Sequence, residues 1–114
     1  MIETFFLLLV GHAVADFALQ TEIMARLKNR HNKPDNIPNG QKYIPCWIYW
    51  MSSHSLIHAG AVYVVTGSLV WAIFEFCSHF IIDMLKCENV TNPNQDQISH
   101  VWMKVVYALA VNLK

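Results

Sequence analysis

Phe76-Cys77-Ser78-His79-Phe80-Ile81-Ile82-Asp83 is an apolar run that carries a histidine and an aspartate four residues apart. On a helix, residues i and i+4 share one face. His79 and Asp83 therefore point the same way from a segment that otherwise avoids polar groups. Glu75 lies one turn earlier and extends the row to Glu75, His79, Asp83.

The same device recurs along the chain. His12 and Asp16 are four apart, as are His54 and His58, and Asp96 and His100. Five of the six histidines fall into such pairs, and the sixth, His31, lies in a polar loop. Four pairs on four separate segments point to one shared site.

Composition bounds the rest. The chain has 114 residues, which suits one domain. It is 54% hydrophobic and 14% charged, against about 25% charged in typical soluble domains. A formal net charge of zero argues against a nucleic-acid partner. Cys46, Cys77 and Cys87 are an odd set without a CxxC, so they read as packing residues rather than a disulfide framework or a zinc-thiolate site. Phe5–Val10 resembles a short signal core, but no basic residue precedes it and His12 and Asp16 follow, so it reads as part of a permanent helix.

The pattern predicts an all-α protein, a four-helix up-down-up-down bundle spanning a membrane, with the polar His/Asp cluster in its core. The four helices are expected at about 2–27, 43–65, 69–86 and 96–113, with a polar loop over 29–42. The first segment is long enough to cross a bilayer, which takes ~20 residues, and carries the row His12, Asp16, Gln20. The 29–42 loop holds Pro34, Pro38 and Gly40, which break helices. Pro45 suits a helix start, and Trp47, Tyr49 and Trp50 follow as an interfacial aromatic belt does. Thr66-Gly67-Ser68 reads as a tight turn, with one long continuous helix as the alternative. Lys104 interrupts the last segment.

Arg26, Lys28, Arg30, Lys33 and Lys42 crowd the long loop, while the Thr66–Ser68 turn has no charge. The positive-inside rule then places the polar loops in the cytoplasm of a bacterial host, in an inner-membrane protein whose partner is the lipid bilayer. In that arrangement all four pairs fall in the same half of the bundle.

Imidazole and carboxylate together ligate zinc, manganese or iron, with zinc the first expectation. The candidate ligands are His12, Asp16, His54, His58, His79, Asp83, Asp96 and His100. They suffice for two ions, or for one ion around which aspartates orient the histidines. A carboxylate in an apolar bundle is costly unless paired or bound to a cation. The competing reading is a proton-relaying or purely structural polar network. A bound dication supports hydrolysis, because it acidifies its water and polarises a carbonyl or phosphoryl oxygen. The substrate, a small molecule or a lipid-linked ester, is not encoded in the motif, and neither is assembly into a homo-oligomer.

His12-Ala-Val-Ala-Asp16-Phe-Ala-Leu-Gln20, the His54/His58 segment, Ser78-His79-Phe80-Ile81-Ile82-Asp83 and Asp96-Gln97-Ile98-Ser99-His100 together resemble the domain-of-unknown-function 3307 family. The resemblance covers nearly the whole chain in order. It implies a small multi-helix, membrane-associated protein of bacterial or phage type, without a known reaction. Ser53-His54-Ser55-Leu56 and the Ser78–Asp83 stretch are also similar to YdjM-like membrane-bound metal-dependent hydrolases. The aspartate-rich DxDH-type segment of those proteins has no counterpart here.

Overall fold

The computed structural model describes residues 1–113. These form α1 (Ile2–Ala13), a π-helical segment (Val14–Ala18), α2 (Glu22–Leu27), α3 (Trp47–Thr66), α4 (Leu69–Cys87) and α5 (Pro93–Asn112), with no strand.

Local chemistry sets the boundaries. Gly67 ends α3 in the left-handed conformation at φ 66°, which glycine adopts without penalty. Ser68 then caps α4 by accepting from the Trp71 amide. Asn92 and Gln95 form a reciprocal capping box with Pro93 in the first turn. That box starts α5 at Pro93, three residues before the expected start, so Asp96 lies in the first turn of the helix.

The first segment departs most from the expected continuous helix over 2–27. After Ala13 the hydrogen bonds widen to i→i+5, with the Leu19 amide on the Val14 carbonyl at 2.9 Å. The helix stops there, and Thr21 starts α2 afresh by capping the Met24 amide. Single π turns inside helices are frequent at functional sites, and this one carries Asp16.

The membrane expectation is corrected. No helix among the described residues is long and apolar enough to cross a membrane. The first segment is broken at Leu19–Thr21, and the three long helices carry the polar rows themselves: Ser52–Ser55 with His58 on α3, Glu75, Asp83 and Lys86 on α4, and Asp96, His100 and Lys104 on α5. The spanning bundle, the bilayer partner and the inner-membrane location fall with it.

Four helices close a ring in which α1 touches α3 and α5, α3 touches α4, and α4 touches α5. Gly11 lets α1 approach α3 closely, since a Cβ there would sit 3.1 Å from that of Ala61. An apolar plug of Leu8, Val62, Tyr107 and Ala108 fills part of the interior, backed by Phe5, Val65, Trp71 and Met103. The rest is polar. Eleven buried residues are polar or charged against eight hydrophobic ones, so the polar cluster is the core rather than an exception within it. Phe6, Phe17, Val64, Ile73, Phe74 and Trp102 point outward instead.

Candidate metal centre

Each helix of the ring sends an i, i+4 row inward. α3 supplies His54 and His58, α4 supplies Glu75, His79 and Asp83, and α5 supplies Asp96, His100 and Lys104, all buried. From α1 and the π segment come His12 and Asp16, whose side chains are 6% and 9% exposed. All eight residues expected from the sequence thus face one cluster.

The carboxylates sit between the imidazoles. Asp16 Oδ1 lies 2.9 Å from His58 Nε2 and 3.3 Å from His54 Nε2. Asp83 Oδ2 lies 3.3 Å from His54 Nε2 and 3.7 Å from His79 Nε2. The other oxygen of each faces a different ring: Asp16 Oδ2 is 3.4 Å from His12 Nε2, and Asp83 Oδ1 is 3.2 Å from His100 Nε2. Asp96 Oδ1 is 3.4 Å from the same His100 nitrogen. Gln97 ties the far side together, donating to Asp16 Oδ2 at 3.1 Å and lying 3.2 Å from His12 Nε2 through its oxygen.

The donors fit a divalent cation. Nitrogen ligands at the zinc distance of about 2.0–2.1 Å stand roughly 3.4 Å apart at the corners of a tetrahedron, and the separations above scatter around that edge. Asp16, His54, His58 and His79 offer ligand atoms within 4.8 Å of one another, and so do His79, Asp83 and His100. Two of these nitrogens, His54 Nε2 and His79 Nε2, are buried without a hydrogen-bond partner. Polar groups in a protein interior are rarely left so. Neither set of donors contains a cysteine: Cys46 and Cys77 are exposed, so they do not pack in the interior as expected, and Cys87 is half-buried.

Protonation states suit the same role. Burial pushes the His79 pKa down to about 3, against the pull of Glu75, and that of His58 down to about 4, against Asp16. His12 is lowered by burial as well. These rings are neutral at pH 7 and present lone pairs. Burial opposes the charge on Asp16, yet His54, His58 and Gln97 outweigh it and hold the carboxyl well below its usual range. Asp83 is held low in the same way, by His100, His54, His79 and Lys28 against burial. His100 moves oppositely, up to about 8, because Asp83 and Asp96 overcome the effect of burial.

Three lysines complete the cluster, and residue-level reading of the sequence did not place them there. Lys104 donates to Glu75 Oε1 at 2.5 Å, and the same oxygen lies 3.3 Å from His79 Nδ1. This chain orients His79 from behind. Lys86 donates to Asp96 Oδ2 at 3.1 Å. Lys28, just beyond α2, is buried and donates to Asp83 Oδ2. Lys104 had a legible signal, since it continues the Asp96–His100 spacing by one turn; Lys28 had none. Residues after Lys28 strap the loop to the end of α4: Arg30 grips Glu88 through Nε and Nη2 at 2.5 and 3.0 Å, and His31 lies 3.0 Å from the same carboxylate.

The ring nitrogens and carboxylates of the cluster are largely buried. The five main surface grooves are lined by other residues, the largest by α2 and the Pro34–Asn36 loop. Two edges approach solvent, that of Asp16, flanked by the half-buried Gln20 and Gln97, and that of Lys86 beside Asp96.

Comparison with known proteins agrees with the resemblance to the domain-of-unknown-function 3307 family. Residues 4–113 match the family model described as a protein of unknown function, DUF3307. No curated protein and no solved structure matches the chain. With all but the terminal residues covered by that match, the chain belongs to the DUF3307 family.

Proposed function

We propose that this protein binds a divalent metal ion at the centre of its helix ring, with zinc the first candidate and manganese or iron the others. Asp16, His54, His58 and His79 hold it, and Asp83 Oδ2 faces the same position. The observation that carries this reading is the pair of buried, partnerless nitrogens, His54 Nε2 and His79 Nε2, each aimed at a carboxylate. An ion between them satisfies both at once. It also relieves the charge of carboxylates packed in the core.

The burial of the cluster favours a resident ion that joins the π segment, α3 and α4, because a catalytic metal keeps an open coordination position. A second reading is metal-assisted hydrolysis. It draws on the similarity of the His54 and His79 segments to YdjM-like hydrolases and on the Asp16 edge, where Gln20 and Gln97 are only half-buried. That role requires the edge to open to substrate.

Elemental mass spectrometry on protein purified without chelator tests the proposal, beside a His54→Ala/His79→Ala double variant checked for helicity by far-UV circular dichroism. We expect stoichiometric zinc, manganese or iron in the parent and its loss from the variant. A parent free of metal, even after incubation with zinc, overturns the proposal and leaves a buried polar network.

A further inference from the structure

We infer that Asp83, His100 and Asp96 form a second divalent-cation position, joined to the first through the two oxygens of Asp83, and that the Lys86 ammonium fills it as a tethered placeholder. The second position rests on the metal-binding reading of the first, because Asp83 faces both.

Asp83 divides its oxygens between two sets of ring nitrogens. Oδ2 faces His54 and His79 of the first set, while Oδ1 faces His100 alone among the histidines. A carboxylate that serves two nitrogen sets from opposite oxygens is arranged as a bridging ligand is. On the His100 side, Asp96 presents Oδ1, buried and without a hydrogen-bond partner, 3.4 Å from His100 Nε2. The Asp96 side chain is 1% exposed, so water does not satisfy that oxygen.

A cation already sits at the mouth of this position. Lys86 Nζ lies 3.1 Å from Asp96 Oδ2 and 3.7 Å from Asp83 Oδ1. It engages one oxygen of Asp96 and leaves the other unused. Unlike Lys28 and Lys104, Lys86 has a side chain that is 29% exposed, so its ammonium has a path to water along its own stem.

Charge decides whether two ions fit. Asp16, Glu75, Asp83 and Asp96 carry four negative charges, and Lys28, Lys86 and Lys104 carry three positive ones. With His100 carrying its second proton and the other rings neutral the cluster is balanced, and two dications raise it to +4. Moving Lys86 to solvent and losing the His100 Nε2 proton to water bring it back to +2. Loading is therefore an exchange, in which a dication replaces the Lys86 ammonium and the proton that His100 Nε2 now donates to Asp83 leaves to water.

The test is a Co²⁺ titration of the full chain, with bound cobalt counted per chain and spin coupling followed by EPR. Parent, His54→Ala, His100→Gln and Lys86→Met proteins are compared after circular dichroism shows each folded. We expect two ions in the parent with a spin-coupled signal. His100→Gln should keep one ion and lose the coupling. Lys86→Met should bind the second ion at least about tenfold more tightly, the scale of one charge-assisted hydrogen bond removed from competition. Saturation at one ion in the parent, or two ions retained by His100→Gln, overturns the second position and leaves the first standing if His54→Ala abolishes that ion. No cobalt bound in the parent overturns both. Should His100→Gln fail to fold, an unchanged second affinity in Lys86→Met overturns the inference by itself.

Discussion

His58 on α3 and His79 on α4 stack face to face, their ring centroids 3.6 Å apart and their planes 22° from parallel. His100 of α5 continues the stack at 4.2 Å from His79. One edge of this column, the Nε2 edge, looks onto Asp16, Asp83 and Asp96, while His79 Nδ1 on the other edge looks onto Glu75 and, through it, Lys104. Two imidazolium rings in van der Waals contact repel, so the column holds together only while His58 and His79 stay neutral.

Acid should therefore weaken the fold. The folded pKa values of His58 and His79, about 4 and about 3, lie below the unfolded value of 6.5. Between those limits the unfolded chain binds more protons, so stability falls as the pH falls below about 6.5. His100, raised to about 8, acts in the opposite sense: its contribution is complete below pH 6.5 and is lost as the pH rises through 8. Two groups outweigh one on the acid side. We expect the Tm of metal-free protein to drop on the order of 5–10 °C from pH 7 to pH 5, measured by circular dichroism; a Tm that holds or rises over this range contradicts neutral buried rings.

Glu75 and Lys104 form a buried ion pair, each side chain 1% exposed. Lys104→Met leaves the buried carboxylate without its cation, facing only imidazoles, and should lose about 3–5 kcal/mol of stability in chemical denaturation. The Glu75→Gln/Lys104→Met double variant should lose much less than the sum of the two single changes. Glu75→Gln by itself should also weaken metal binding by about 10–100-fold, because a neutral amide orients and polarises the His79 ring less than the carboxylate does. Isothermal titration with zinc reads that effect.

Lys28 links the metal cluster to the loop. Removing its ammonium by Lys28→Met leaves Asp83 Oδ2 facing His54 and His79 without its lysine partner. The metal-free variant should be destabilised by about 3–5 kcal/mol. Saturating zinc should restore most of the loss, since the ion then takes over the same oxygen. Arg30→Ala, which touches only the exposed Glu88 clamp, should leave both stability and zinc affinity nearly unchanged. Denaturation curves with and without zinc check the contrast.

Gly11 sets the distance between α1 and α3. Gly11→Val pushes a branched side chain against Ala61 and should cost about 1–3 kcal/mol. His12 and Asp16 ride on the displaced segment, so zinc affinity should fall along with stability. A variant with lowered Tm and unaltered zinc affinity would show that α1 does not hold the ion.

Much of the site was legible because helix geometry is local. A four-residue spacing puts two side chains on one face whatever surrounds the helix, and His12/Asp16, His54/His58, His79/Asp83 and Asp96/His100 all obey it. The same locality made Gly67 readable as a turn and the chain readable as all-helical. Direction was not readable. Composition counts Phe6, Phe17, Val64 and Trp102 as apolar without saying that they face outward, and this led the hydropathy pattern toward a membrane that no described helix is built to cross.

What the sequence determined by itself was the set of inward rows and the ligand types they carry, because both follow from chemistry within one helical turn. What only the tertiary structure decided was which oxygen meets which nitrogen, and which cations neutralise the carboxylates. Lys28 reaches Asp83 across 55 positions and Gln97 reaches Asp16 across 81. No local spacing predicts such contacts, since they arise from the closing of the helix ring, and the charge balance of the centre depends on them.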